Sequence, residues 1–226
     1  MSKILCIETS AKACSVALSD NGACVAYKEI TDEWQHSRQL TLLIQSMLAD
    51  LGVELSGLAA VAISRGPGSY TGLRVGASCG KGLCYALDIP LISIPTLQLI
   101  AQQYVSKEDD ATRIVPMIDA RRMEVYYTVF DNMLVPEQKT TNLVLEPGCF
   151  ESYEGKKLLF CGDGAHKMAN FNISKHWIIE PSIASACYMT KLAYRSYEAK
   201  VFEDVAYYVP FYLKSPNITK SKKPLF

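Results

Sequence analysis

Apolar positions change their period several times along the chain, and each change marks an element. Lys3 to Glu8 is a short, nearly continuous apolar run that stops at Glu8-Thr9-Ser10, the pattern of a buried strand feeding a polar turn. Cys14–Ser19 and Cys24–Ile30 read as two further strands. Asp20-Asn21-Gly22 lies between them and supplies residue types that tolerate the positive φ of a tight hairpin. The chain therefore opens with three consecutive strands. Over 36–51 the period becomes helical, because Leu40, Leu43, Ile44, Met47, Leu48 and Leu51 share one face, and Gly52 supplies a stop. Leu58–Ile63 is a buried strand. The glycine-rich turn Arg65-Gly66-Pro67-Gly68-Ser69-Tyr70 follows it, then a helix over Thr71–Leu87, a strand over Pro90–Ile94 and a helix over Thr96–Val105.

Ser106-Lys107-Glu108-Asp109-Asp110 is polar, charged and aperiodic, the signature of a linker. Beyond it, strands over Arg113–Asp119 and Glu124–Phe130 flank Ala120-Arg121-Arg122. A strand over Leu158–Cys161 ends in Gly162-Asp163-Gly164, and Ser182–Lys200 is the last long helix. Residues 215–226, with Lys220, Lys222 and Lys223, read as a disordered tail. The expectation is an α/β protein in two lobes, 1–106 and 111–214.

Composition narrows the function classes. The 226 residues make one large domain or two small ones. Lys+Arg and Asp+Glu each total 23, and this zero net charge argues against a stand-alone nucleic-acid binder. None of the 8 cysteines forms a CxxC pair and most stand among apolar residues, so they read as small buried hydrophobes in a reducing compartment rather than zinc ligands. The N-terminus runs straight into a strand, with no signal-peptide pattern and no membrane-length apolar run, which points to the cytoplasm.

Several segments carry candidate chemistry. Glu8-Thr9-Ser10 puts a carboxylate and hydroxyls at a strand end beside a hairpin, where a turn can hold a phosphate or its Mg²⁺ or merely satisfy its own backbone. Gly162-Asp163-Gly164 is a place where a nucleotide can approach the backbone, or a strand-to-helix turn with an Asp cap. The block Arg65 to Arg74 has three glycines before a helix but no GxxxxGK[ST] pattern, so it is not a Walker A loop. Within the helix, Gly72, Gly76 and Gly80 recur every four residues, and each costs about 1 kcal/mol relative to alanine. Close approach of another helix is the expected compensation, from this chain or another subunit. His36 lacks a second histidine one turn on, since position 40 is Leu40, which speaks against a metal site. Arg121-Arg122 can bind phosphate or a carboxylate, or form a solvated hairpin tip.

These motifs coincide in order: Ile4 to Ser10, Val16-Ala17-Leu18, His36-Ser37, Gly66-Pro67-Gly68-Ser69-Tyr70-Thr71-Gly72-Leu73-Arg74, Lys81-Gly82-Leu83, Asp119-Ala120-Arg121-Arg122 with Glu124, Gly162-Asp163-Gly164, and Tyr212-Leu213-Lys214. The set resembles the TsaB (YeaZ) family of tRNA threonylcarbamoyladenosine biosynthesis proteins. That resemblance implies an actin-like, sugar-kinase-type (ASKHA) ATPase fold of two lobes, the second reduced. It implies a non-catalytic partner of TsaD, the protein that transfers threonylcarbamoyl to N6 of tRNA adenosine 37. The implied partners are TsaD, the small ATPase TsaE and a second copy of this chain, with tRNA met only in the complex and no membrane contact. TsaD holds its metal through an HxxxH pair; here that pair reads His36 and Leu40. No cofactor is then required by this chain, and ATP or ADP with Mg belongs to the complex. Any nucleotide contact of this chain falls on Glu8, Thr9, Ser10, Gly162, Asp163 and Gly164. The family's first strand usually ends in Asp rather than Glu8, and Tyr70 replaces its usual Phe. The family's interface maps to His36, Leu40, Leu43, Met47, Tyr70, Gly72, Leu73, Gly76, Gly80 and Leu83. An autonomous ATP-binding enzyme, or a glycoprotease-like metallopeptidase, is the alternative. A further possibility is direct tRNA binding assisted by Arg65, Arg74, Arg121, Arg122 and the tail.

Overall fold

A computed structural model describes residues 2–31, 36–105, 111–171 and 174–214. Among the described residues, ten strands form two five-stranded sheets. The first contains β1 (Lys3–Glu8), β2 (Cys14–Asp20), β3 (Ala23–Ile30), β4 (Ala60–Gly66) and β5 (Leu91–Pro95) in the order β3-β2-β1-β4-β5. The second contains β6 (Arg113–Asp119), β7 (Glu124–Tyr127), β8 (Thr141–Val144), β9 (Leu158–Cys161) and β10 (Trp177–Glu180) in the order β10-β9-β6-β7-β8. Read from the first strand of each, the two orders are the same. Strands one to three are antiparallel neighbours, and strands four and five run parallel to the first. The chain is thus a structural duplication that its sequence does not display.

Helices α1 (His36–Asp50) and α2 (Tyr70–Leu87) cover one face of the first sheet. Leu40, Ile44, Met47 and Leu48 pack there against Leu5, Ile7 and Val16. The opposite face meets the second sheet through α3 (Thr96–Ala101) and α4 (Ala186–Glu198). Helix α4 follows the last strand of the second sheet but packs on β1, β2 and β3 of the first. Ser15 Oγ accepts the N–H of Ala186 at 3.0 Å at its start. The stretch 111–214 is therefore continuous in sequence, while its last helix is spatially part of the first sheet's cover. In the second half, 3₁₀ turns at Glu151–Tyr153 and Ala165–Asn170 stand where α1 and α2 stand in the first. That is the physical content of a reduced second lobe.

The opening hairpin forms as its sequence demands, with Asn21 at φ 49° and Gly22 at φ 88°. The helix expected to run to Val105 stops at Ala101, because the N–H groups of Gln103 and Tyr104 turn to the carbonyls three residues back and bury the Tyr104 ring. The expected strand 124–130 ends at Tyr127, and β8 and β10 have no counterpart in the sequence reading. Both are short: β8 is almost wholly exposed and β10 half so, and neither shows a strong apolar alternation. All eight cysteines are free; Cys6, Cys14, Cys84 and Cys161 are buried, whereas Cys24 is exposed. The expected linker 106–110 and tail 215–226 lie outside the described residues. Among the described residues no helix is long and apolar enough to cross a membrane.

Candidate functional site

Strand β1 ends inside the protein. Glu8 is completely buried, and Thr9 and Ser10 nearly so. The Glu8 carboxylate accepts the N–H and the hydroxyl of Ser10 through one oxygen, Oε1. Its other oxygen, Thr9 Oγ1 and Ser64 Oγ have no hydrogen-bond partner among the described residues. Burial pushes the Glu8 carboxyl above its ordinary range, and the Ser10 bonds only partly offset this.

The segment Gly66 to Gly76 closes over this strand end. Ser69 donates its N–H to Ser10 O at 2.8 Å and caps α2 by accepting the N–H of Gly72 at 3.2 Å. A Cβ on Gly68 would lie 2.7 Å from Ser10, one on Gly72 1.9 Å from Thr9 O, and one on Gly76 2.4 Å from Thr9 Oγ1. A Cβ on Gly80 would meet Ile63 at 2.7 Å. The glycine stripe is thus matched to strands β1 and β4 of its own sheet, which corrects the expectation of a helix–helix contact. The compensation for three helical glycines is the close seat of a helix on a sheet. From above, a strap of chain covers the same turn. Phe211 donates its N–H to Arg65 O at 2.8 Å, a Cβ on Gly66 would sit 2.5 Å from Phe211 O, and Tyr212 stacks on Tyr70 with ring centres 4.8 Å apart. Arg74 lies over the Tyr70 ring at 4.2 Å.

The second sheet repeats the arrangement with different chemistry. Gly162-Asp163-Gly164 follows β9 as the glycine turn follows β4, and it closes over the end of β6. A Cβ on Gly162 would lie 2.2 Å from Met117 O and one on Gly164 3.0 Å from Ile118. Asp163 accepts the N–H of Asp119 at 2.9 Å, so it ties the two strand ends together rather than capping the following turn. Burial and the neighbouring Asp119 charge raise its carboxyl, against that bond, Lys12 and His166. Asp119 accepts Lys167 Nζ at 2.6 Å and the N–H of Arg121 at 2.6 Å. Burial opposes ionisation of Asp119, but these bonds and the Lys167 charge win and hold it below the usual carboxylate range. Arg121 and Arg122 form the exposed hairpin tip, both at positive φ.

The two candidate segments face each other across the interface of the sheets. Ser10 and Ala11 from one side and Ile118 and Asp163 from the other enclose only about 10 Å³, room for one water. The space between them is filled, and the Glu8 carboxylate is turned onto Ser10.

The expected interface set divides in two. Leu40, Met47, Gly72, Leu73, Gly76 and Gly80 are buried in their own chain, which removes them as direct contacts of a partner. Leu43, Tyr70 and Leu83 are half-buried, and the side chain of His36 lies outside the described residues. The outer surface of the two helices instead presents Leu42, 61% exposed, and Tyr85, 87% exposed. The sequence reading missed Lys167 and Phe211, and it quoted Tyr212 only within a motif, without its place against Tyr70. Lys167 stands in a short turn without periodicity, and nothing local announces that it is buried against a carboxylate.

Glycine turns sealing the first strand of each half, on duplicated sheets of matching order, define an α/β protein of two matching halves. The family model described as "TsaD: tRNA N6-adenosine threonylcarbamoyltransferase" matches residues 31–221. TsaB of Escherichia coli is 35% identical over 147 residues, 64% of this chain and 63% of that protein. TsaB of Haemophilus influenzae is 38% identical over 125 residues, 55% of this chain and 52% of that protein. The matched region thus spans between half and two thirds of these relatives. A Pseudomonas aeruginosa crystal structure, described as an uncharacterized protein with similarity to peptidase YEAZ, superposes with TM-score 0.82 at 25% identity, covering 95% of this chain and 100% of that one. The structure titled YeaZ from Pseudomonas aeruginosa gives TM-score 0.81 at 24% identity over 94% of this chain and all of its own. The chain belongs to the TsaD-type family and, within it, to the TsaB (YeaZ) group.

Proposed function

We propose that this chain serves tRNA threonylcarbamoyladenosine synthesis as a non-catalytic partner of a TsaD-type transferase, a scaffold and activator. The observation that carries this reading is the filled end of β1. The chain's own glycine turn closes over that strand end, and the space left between Ser10 and Asp163 is about 10 Å³. Leu40 supports it, since a core leucine takes the position of the second metal-binding histidine. What remains for function is the outer surface of α1 and α2, which carries the exposed Leu42 and Tyr85 and the half-buried Leu43, Tyr70 and Leu83. In this reading the same surface forms the homodimer and the TsaD heterodimer, so the two exclude each other. TsaE and tRNA join only the assembled complex, in the cytoplasm, and ATP or ADP with Mg²⁺ is bound there rather than in this chain's cleft.

Light scattering coupled to size-exclusion chromatography tests this, on the chain alone and mixed with TsaD of the same organism. A homodimer that gives way to a one-to-one heterodimer is expected, and Tyr85→Asp should prevent both while leaving the fold intact. A chain that ignores TsaD sinks the reading. Gly76→Leu is not the variant to use, because it strikes Thr9 within the fold.

A second reading, an autonomous ATP-binding enzyme, draws on the unpartnered polar atoms of Glu8, Thr9 and Ser64 at one strand end. Calorimetry of the isolated chain with ATP and Mg²⁺ decides it. Heat of binding that is lost in Glu8→Ala would favour it over the scaffold.

A further inference from the structure

Cys24 and Cys187 meet where α4 covers the edge strand β3, on the face of the first sheet away from α1 and α2. An irregularity in the strand pairing brings Cys24 there. Leu18 pairs with Ala26 and Ser19 with Cys24, so Val25 is an extra residue on β3, a bulge. Side chains alternate along an unbroken strand, and Cys24 would then share the face of Ala26 and of Lys28, which pairs with Asp50 of α1 at 2.6 Å. The bulge turns it instead to the face of Ser19, whose hydroxyl donates to Thr190 O of α4 at 3.5 Å.

Both thiols are free, and they stand within side-chain hydrogen-bonding reach of each other. Cys187 is the second residue of α4, next to Ala186, whose N–H is fixed on Ser15, and it is half-buried. Cys24 is the exposed one of the eight cysteines, so a small solute reaches the pair from solvent. Burial, and then the contact with Cys187, push the Cys24 thiol up to about 12, so it keeps its proton at neutral pH. Cys6 lies near enough to feel both sulfurs, but it is completely buried.

We propose that Cys24 and Cys187 form a reversible dithiol–disulfide pair that a peroxide oxidises. The Cys187 sulfur attacks one peroxide oxygen, the O–O bond breaks, and a sulfenic acid and one water result. The Cys24 sulfur then attacks the Cys187 sulfur, and the proton that Cys24 has kept leaves with the displaced hydroxyl as a second water. Two thiols thus give two electrons and two protons to one peroxide, and a thiol reductant reverses the change. The bond fastens α4, which the chain reaches only after the second sheet, to the edge of the first. The pair is independent of the α1–α2 surface and of any role beside a transferase.

Mass spectrometry of the full chain after brief exposure to hydrogen peroxide, on digests kept unreduced, tests the proposal. One cross-link within the chain is expected, between the peptides of Cys24 and Cys187, and dithiothreitol should remove it. The oxidised chain should melt about 5 °C higher or more, because the bond closes a loop of most of the chain. Cys24→Ser should abolish the cross-link and leave Cys187 as a sulfenic acid that dimedone traps. Absence of the cross-link, with the two thiols unmodified or separately oxidised, would overturn the proposal. So would a cross-link through Cys6, a bond between two chains through Cys24, or a cross-link that lowers the melting temperature.

Discussion

Two carboxylates occupy matching places in the duplicated sheets, and their surroundings give them opposite chemistry. Glu8 ends β1 and Asp119 ends β6, and each is overlain by a glycine turn from the fourth strand of its sheet. Around Glu8 the neighbours are hydroxyls, the burial is complete, and the carboxyl is held above its ordinary range. Around Asp119 a lysine reaches in, part of the carboxylate meets solvent, and the carboxyl is held below. The same turn-over-strand geometry therefore disfavours charge on the carboxyl in one half and makes an ion pair in the other. Strand order sets the geometry, and the facing side chain sets the charge.

The sharpest way to break the comparison is to remove the glycines that let the turns close. Gly72→Val should cost at least about 3 kcal/mol, because even its Cβ would lie 1.9 Å from a backbone carbonyl. Urea denaturation measures this, and a variant of near wild-type stability would contradict the seating of α2 on β1. Lys167→Met should come next, at about 2 kcal/mol. The lysine is only 5% exposed and its ammonium also donates to Glu124 O at 2.8 Å, so its loss leaves Asp119 and that carbonyl unmatched. The paired Asp119 is depressed, so its contribution is present at neutral pH and lost as pH falls through its folded value; Lys167→Met should remove that acid-side loss.

Glu8 carries the opposite sign. Its folded value is raised, so the stability linked to it is present in acid and falls as pH rises through that value. Glu8→Gln should stabilise the protein at neutral pH by about 1 kcal/mol and flatten this part of the pH profile. A destabilised Gln variant would mean that the carboxylate is ionised and needed in the fold. The smallest effect is expected at Gly82, on the outer side of α2, where a Cβ meets nothing within 4 Å. Gly82→Ala should raise stability by about 0.5–1 kcal/mol, the reverse of any change in the stripe one face away.

Much of the first sheet was legible. Lys3–Glu8 is apolar at nearly every position because both faces of a central strand are covered, and Asp20-Asn21-Gly22 admits little besides a hairpin. Helix α1 follows from its apolar spacing. The glycine stripe was legible as a close approach, yet its partner was read as a helix. Spacing tells which face is crowded and says nothing about what crowds it. The second sheet was half legible, since its short outer strands carry little apolar alternation and its 3₁₀ turns have no helical period. Of the candidate site, Glu8 to Ser10 and Gly162 to Gly164 were found as segments, but their closure against each other was not.

The sequence by itself determined the local facts: which runs extend, which coil, where a residue without a side chain is required, and the motif order that places the chain in its family. Tertiary structure alone decided the rest. It brought α4 back onto the first sheet, seated the glycines on Thr9 and Ile63, laid the strap over the turn, and gave Asp119 a lysine and Glu8 none. The physical reason is that burial and charge pairing depend on residues far apart in the chain, Asp119 and Lys167 or Gly66 and Phe211, whose approach no local period encodes.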